Sequence, residues 1–158
     1  MMKFSRPGGG FVVLMDGAEA RLKAYAHAGK CGDGEAGGIL IGRLLIESDD
    51  ILIDEATEPG KKDRRRRFTF WRSTSSHQKR VDTAWKQSRG TQIYLGEWHS
   101  HPEADPTPSN QDVKNWLAII KDAKYEQDQL LFAIAGIERI RFWQLARGKQ
   151  RPQEMLAG

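Results

Sequence analysis

Short apolar segments alternate with amphipathic ones along the chain. Runs rich in apolar and β-branched residues predict seven strands, over residues 11–15, 37–47, 51–56, 68–71, 93–98, 130–135 and 140–145. Apolar positions at helical spacing predict three helices, over residues 18–28, 74–87 and 109–125. The strands and helices do not follow the regular rhythm of βαβ units. This pattern predicts an α/β (α+β) fold in which a mixed sheet is flanked by helices.

The predicted elements occupy one continuous region of the chain, from about residue 11 to 146. A length of 158 residues fits a single domain over 1–158. The polar tail, 147–158, is expected to be frayed. Trp85 and Trp116 lie on apolar helix faces and are expected in the core.

Composition excludes several classes of protein. Cys31 is the one cysteine, so neither an internal disulfide nor a multi-cysteine metal site is possible. No apolar run approaches the roughly 18 residues of a membrane span, and none follows the basic residues near the N-terminus as in a secretory signal. We therefore expect a cytoplasmic protein with no membrane partner.

The net charge of +4 comes from one segment. Residues 61–67 contain six of the 25 basic residues and one of the 21 acidic ones, which leaves 19 basic and 20 acidic residues elsewhere. We predict a loop there that contacts an acidic protein substrate or partner. A solvated loop is the plain alternative. A nucleic-acid patch is less favoured because the segment has little aromatic context.

The segment from His99 to Asp112 contains candidate metal ligands. His99 and His101 point the same way if the backbone is extended, so both imidazoles can face one ion. A catalytic zinc takes three protein ligands and leaves a fourth position open. Asp112, about one turn into the predicted helix, is the best third ligand because the Pro-containing loop before it allows the chain to turn back.

Each of these features also has a simpler explanation. A His-x-His pair occurs on surface strands by chance, and Ser109 with Asp112 also resembles a helix N-cap with an acidic first turn. His101-Pro102-Glu103 fits the start of the zinc deaminase signature. That signature also requires Pro-Cys-x-x-Cys, which is absent, so the deaminase hypothesis fails.

A zinc hydrolase also needs a base that is not spent as a ligand. Glu35, immediately before the apolar run that starts at Gly37, is the outstanding candidate. Burial would raise its pKa toward the range of a working base. The alternative is an ordinary solvated loop carboxylate.

Together these residues resemble the JAMM motif of the JAB/MPN metalloprotease family. The motif consists of Glu, a long gap, His-Ser/Thr-His, seven residues, Ser, two residues and Asp. Glu35, His99-Ser100-His101, Ser109 and Asp112 fit it completely, and the similarity extends from about residue 11 to 145.

The resemblance implies a zinc-dependent peptidase or isopeptidase of cytidine-deaminase-like architecture. It implies one zinc per chain, held by His99, His101 and Asp112. Glu35 would be the general base and then the proton donor to the leaving amine. Ser109 would stabilise the oxyanion.

Softer matches, such as residues 94–102 and 56–60, are similar to the bacterial branch of the family. That branch includes small JAB peptidases of anti-phage operons that also encode ubiquitin-activating-like and ubiquitin-conjugating-like enzymes. The resemblance implies a substrate that is the C-terminus of a ubiquitin-like protein or a conjugated nucleotidyltransferase. The alternatives are a non-catalytic MPN scaffold that binds partners, or nucleic-acid binding through residues 61–67.

Overall fold

A computed structural model describes residues 1–30, 35–59, 64–66, 69–71 and 74–158. Within these ranges the helices are α1 (Asp16–Lys30), α2 (Thr74–Gln87) and α3 (Asn110–Asp122). The strands are β1 (Met2–Ser5), β2 (Phe11–Leu14), β3 (Gly37–Leu44), β4 (Ile51–Ala56), β5 (Arg64–Arg66), β6 (Thr69–Trp71), β7 (Ile93–Ser100), β8 (Gln129–Ala135), β9 (Ile140–Ala146), β10 (Gln153–Glu154) and β11 (Leu156–Ala157).

Nine of these strands form one mixed sheet in the order β10-β9-β8-β7-β3-β4-β2-β1-β11. The β2–β4 and β7–β8 pairs are parallel, and the other neighbours are antiparallel. Strands β5 and β6 form a separate antiparallel pair. The predicted mixed sheet with flanking helices is therefore confirmed.

Helices cover both faces of this sheet because successive strand residues alternate between the faces. On one face, α1 buries Leu22 in a cluster that includes Leu131 of β8. On the other face, α3 buries Trp116 against Phe132, the next residue of β8, with ring centroids 4.8 Å apart. None of the helices in the described part of the chain is both long enough and apolar enough to cross a membrane.

A bulge in β7 determines which residues of that strand face α3. Gly96 pairs with Leu40 and Tyr94 with Ile41, so Leu95 is an extra residue between them. Gly96 has a φ of 150°, and a Cβ there would lie 1.7 Å from the Leu131 carbonyl oxygen, so the bulge requires glycine.

The bulge also shifts the alternation of side chains beyond it. Leu95 and Trp98 lie in the same core cluster beside α1, although they are three residues apart. The next residue, His99, then faces α3, where its ring lies 6.2 Å from that of Trp116. Trp98 therefore points away from the histidines, into the core cluster beside α1.

Three expectations from the sequence are wrong. Trp85 is 54% exposed, whereas Trp116 is buried as expected. The basic segment was expected to be a loop, but Arg64–Arg66 forms a short strand paired with Thr69–Trp71. Residues 61–63 and 67 lie outside the described residues, as does Cys31.

The third error concerns the tail, which is ordered into strands at both edges of the sheet. Gln153–Glu154 pairs with β9, and Leu156–Ala157 pairs with β1. Met155, between the two pairs, is only 2% exposed, and its N–H donates to Phe142 O at 2.9 Å. The end of the chain therefore links the two edges of the sheet, and this long-range pairing leaves no local signal in a polar sequence.

We expect Met155→Ala to lower the free energy of unfolding by about 2–5 kcal/mol, because it removes a buried side chain and leaves a cavity. Gln153→Ala, two residues away and exposed, is the matched control and should change it by less than about 0.5 kcal/mol. Denaturant unfolding measures both values. Equal effects of the two substitutions would contradict a packed tail.

Candidate metal centre and active site

The end of β7 presents two histidines on one side. The Nε2 atoms of His99 and His101 are 3.0 Å apart. The His101 N–H donates to Ala135 O at 3.0 Å, which extends the parallel pairing with β8 beyond the last residue of β7. The extended backbone that the sequence predicted therefore brings both imidazoles to one point.

Asp112 reaches the same point from the first turn of α3. Ser109 is the N-cap of this helix, and its Oγ accepts from the Asp112 N–H at 3.0 Å. Asp112 Oδ2 in turn accepts from the Ser109 N–H at 2.8 Å, which completes a capping box. The cap fixes the carboxylate so that its Oδ1 lies 3.4 Å from His99 Nε2 and its Oδ2 lies 3.1 Å from His101 Nε2.

These three side chains have the spacing of a metal site. Among the described residues, His99, His101 and Asp112 form a group whose ligand atoms all lie within 4.8 Å of one another. Tetrahedral zinc, with ligands at about 2.0–2.1 Å, places neighbouring ligand atoms about 3.3 Å apart. His101 Nε2 lies 3.0 Å from His99 Nε2 and 3.1 Å from Asp112 Oδ2, close to that value, and the other carboxylate oxygen, Asp112 Oδ1, lies 3.4 Å from His99 Nε2. Two imidazoles and one carboxylate therefore fit a zinc ion with a fourth position left open.

The electrostatics of this group couple its acidic and basic members. Burial disfavours the charged form of His101, but hydrogen bonds with Asp112 and Glu103 outweigh burial and raise its pKa to about 9. Burial likewise opposes the Asp112 carboxylate, yet its hydrogen bonds with His101 and His99 hold its pKa well below the usual range. The carboxylate is therefore ionised, as a metal ligand must be.

Glu35 lies beside this group and is only 5% exposed. Its Oε1 is 3.9 Å from His101 Nε2. Burial raises the pKa of Glu35 to about 7; the positive charge of His101 opposes this rise and Asp112 adds to it. A solvated loop carboxylate would show neither the burial nor the shift. A carboxyl group of this kind is suited to accept and return a proton near neutral pH.

Ser100 holds Glu35 next to the histidines, a role that the sequence analysis did not assign. Ser100 Oγ accepts from the Ala36 N–H at 2.9 Å, and the Ser100 N–H donates to Ala36 O at 2.8 Å. Ser100, which supplies its Oγ and its N–H to these two bonds, is only 1% exposed. The signal was its position between two histidines on a strand, which directs its side chain to the opposite face.

Ser109 is placed as a helix cap, and its second role stays a prediction. Because its Oγ accepts from the Asp112 N–H, the hydroxyl hydrogen is available to donate elsewhere. The side chain is exposed at the start of α3, on the element that carries Asp112. The structure thus brings Glu35, His99, His101 and Asp112 together and places Ser109 at their edge.

The similarity to known proteins agrees with this arrangement. A family model described as prokaryotic homologs of the JAB domain matches residues 17–146. Three curated relatives bear the name CD-NTase/cGAS isopeptidase. The chain is 39% identical to the one from Escherichia coli over 67% of its own length and 66% of the relative. The values are 36%, 84% and 79% for Vibrio cholerae, and 42%, 53% and 52% for Pseudomonas aeruginosa.

The chain belongs to the family of prokaryotic homologs of the JAB domain, so the resemblance predicted from its motif is confirmed. The matches span less than two thirds of the Escherichia coli and Pseudomonas aeruginosa relatives. A solution structure of a protein from Desulfitobacterium hafniense shares the fold, with a TM-score of 0.61 and 20% identity over 90% of this chain and 88% of that one.

We expect Ser100→Ala to lower the free energy of unfolding by about 1–3 kcal/mol, because it leaves the buried Ala36 N–H without its acceptor. The matched control is Ser48→Ala. Ser48 Oγ accepts from the Asp50 N–H at an exposed site, where water can replace it, so the change should stay within about 0.5 kcal/mol. Denaturant unfolding compares the two variants. A Ser100→Ala protein as stable as Ser48→Ala would contradict the anchor.

Proposed function

We propose that this protein is a JAMM-type zinc-dependent isopeptidase or processing peptidase. One observation carries the proposal: two histidines and an aspartate converge with zinc-like spacing, and a buried glutamate with a raised pKa lies 3.9 Å from one of them. Ligands and base are separate residues, as metal-assisted hydrolysis requires. A non-catalytic scaffold would not need to bury Glu35 beside this group.

The residues divide the work of hydrolysis among them. His99, His101 and Asp112 would hold one zinc per chain. When bound, zinc supplies Lewis acidity, which polarises a carbonyl group and lowers the pKa of water. Glu35 accepts the proton of the attacking water and returns it to the amine that leaves when the C–N bond breaks. The Ser109 hydroxyl donates to the carbonyl oxygen as that oxygen gains negative charge.

The names of the relatives support the class of substrate. Since they are CD-NTase/cGAS isopeptidases, we propose that this chain cleaves a peptide or isopeptide bond at the C-terminus of a conjugated nucleotidyltransferase or a ubiquitin-like protein. Its partners would then include ubiquitin-activating-like and ubiquitin-conjugating-like enzymes in bacterial anti-phage defence. Such a role places the protein in the cytoplasm.

The proposal is tested with a synthetic conjugate. This conjugate consists of the C-terminal peptide of a nucleotidyltransferase from the same genome, joined through an isopeptide bond to a fluorescent lysine. Glu35→Gln should retain about one zinc per chain and lose at least about 100-fold in kcat/KM, because it removes the proton acceptor but no ligand. His99→Ala should lose both zinc and hydrolysis.

Glu47→Gln is the matched control because it makes the same change at an exposed carboxylate. It should leave both zinc content and hydrolysis unchanged. A wild-type protein that cannot be loaded with zinc would contradict the proposal. Equal hydrolysis by wild type and Glu35→Gln would show that Glu35 is not the proton acceptor. Normal anti-phage defence in cells that carry the Glu35→Gln protein would favour a non-catalytic scaffold.

A further inference from the structure

The His101 ring lies between two glutamates, one at each nitrogen. Its Nε2 atom is 3.9 Å from Glu35 Oε1 and 3.1 Å from Asp112 Oδ2. Its Nδ1 atom, at the other edge of the ring, is 2.6 Å from Glu103 Oε1. The two nitrogens point in different directions, so Glu103 influences the candidate metal centre through the imidazole and not by direct contact.

We propose that Glu103 is a positioning residue that orients the His101 ring and fixes its tautomer for metal binding. When Nδ1–H donates to the Glu103 carboxylate, Nε2 carries the lone pair that faces His99 and Asp112. Metal-binding histidines usually make such an outer hydrogen bond, and its loss typically weakens metal binding about 10–100-fold. The inference rests on the proposed zinc site.

The fold holds the backbone of Glu103 in place. Its carbonyl oxygen accepts from the Ile137 N–H at 2.7 Å. The carbonyl oxygen of Ala104 accepts from the N–H groups of Glu138 and Arg139, at 3.0 and 3.1 Å. These bonds fasten the loop that follows His101 to the turn between β8 and β9. The carboxylate therefore projects from an anchored backbone.

Gly136 permits this close approach between the turn and the loop. A Cβ at Gly136 would lie 2.8 Å from Glu103 O and 2.4 Å from Pro106 Cδ. Any side chain there would push the loop away from the turn. The same loop leads from His101 towards Asp112, so this contact supports two of the three candidate ligands.

The two glutamates have different places in the site and so different roles. Glu35 is buried on the Nε2 side of His101, where a bound ion would lie. Glu103 is 48% exposed on the Nδ1 side. The His-x-Glu spacing of 101–103 thus does not carry a proton-transferring glutamate as it does in zinc deaminases. Here the spacing places a carboxylate against the outer nitrogen of a candidate ligand.

Because Glu103 is half-exposed, its effect on metal binding can be measured separately from its effect on the stability of the fold. The Glu103 side chain is 48% exposed although the His101 ring beside it is buried, so water can take the place of the carboxylate at Nδ1 and replacing Glu103 should leave the fold intact. Weaker metal binding in such a variant would then come from the ring and not from unfolding.

Zinc affinity of the full-length protein, measured by competition with a chromophoric chelator, tests the proposal. Glu103→Ala should raise the zinc dissociation constant about 10–100-fold. Glu103→Gln should lose less than Glu103→Ala, because its amide oxygen can still accept from Nδ1–H. Substitution with cobalt gives a second readout, since a reoriented ligand changes the visible absorption of the bound ion.

Glu138→Ala, an exposed residue of the adjoining turn, is the control and should bind zinc like wild type. A folded Glu103→Ala protein with wild-type zinc affinity and cobalt spectrum would overturn the inference, as would an equal loss in Glu138→Ala. If Glu103→Ala does not fold, Glu103→Met takes its place, because it keeps the length of the side chain but offers no strong acceptor to Nδ1–H, and wild-type zinc affinity in that variant would overturn the inference. Zinc binding by wild type but not by His99→Ala would leave the zinc site standing in each case, so the two proposals fail separately.

Discussion

The antiparallel pairing of β3 with β7 is the contact on which the candidate site depends. Gly37 lies opposite His99, and the Ser100 hydroxyl and amide bind both polar groups of the Ala36 backbone. This pairing places Glu35 beside residues more than sixty positions later in the chain. Because Ser100 and Glu35 are both buried, no water can replace these bonds without cost.

The candidate site brings together acidic and basic side chains whose opposite charges stabilise one another. Asp112, Glu35 and Glu103 surround His101, and the positive charge of this histidine offsets part of their negative charge when no metal ion is bound, as its raised pKa of about 9 reflects. Buried carboxylates are costly unless they are paired or bind metal. A divalent cation would take over the pairing of Asp112 and displace the proton from His101 Nε2. The arrangement is therefore easier to explain as a metal centre than as a structural ion pair.

Local patterns in the sequence predicted the parts of the site that depend on local geometry. The extended backbone at His99 and His101 and the helix start at Ser109 follow from spacing within one element, and both are observed. The Pro-containing loop before Asp112 predicted that this residue turns back towards the histidines, and the resemblance to a family motif then joined Glu35 and Ser109 to the same site. Asp112 had two explanations from the sequence, as part of a helix cap and as a metal ligand. The structure is compatible with both, because one carboxylate caps α3 and also faces the histidines.

The features that the sequence did not predict depend on pairing between distant segments. The tail forms strands because β1 and β9 offer it edges, and Glu103 reaches His101 because the β8–β9 turn holds its backbone. The bulge at Gly96 has a sequence signal, a glycine within a strand, but its effect on the face of His99 appears only in the register with β3. The basic segment is a further example. Three consecutive arginines predict a loop from local sequence alone, whereas Arg64–Arg66 forms a strand by pairing with Thr69–Trp71.

X-ray absorption at the zinc edge tests the central claim most directly, because it reports the ligands of the ion itself. Protein loaded with one zinc per chain should show nitrogen and oxygen neighbours only, at about 2.0–2.1 Å, with outer scattering from two imidazole rings. A sulfur neighbour at about 2.3 Å, which only Cys31 or a methionine could supply, would contradict the account. A spectrum without imidazole scattering would contradict it equally.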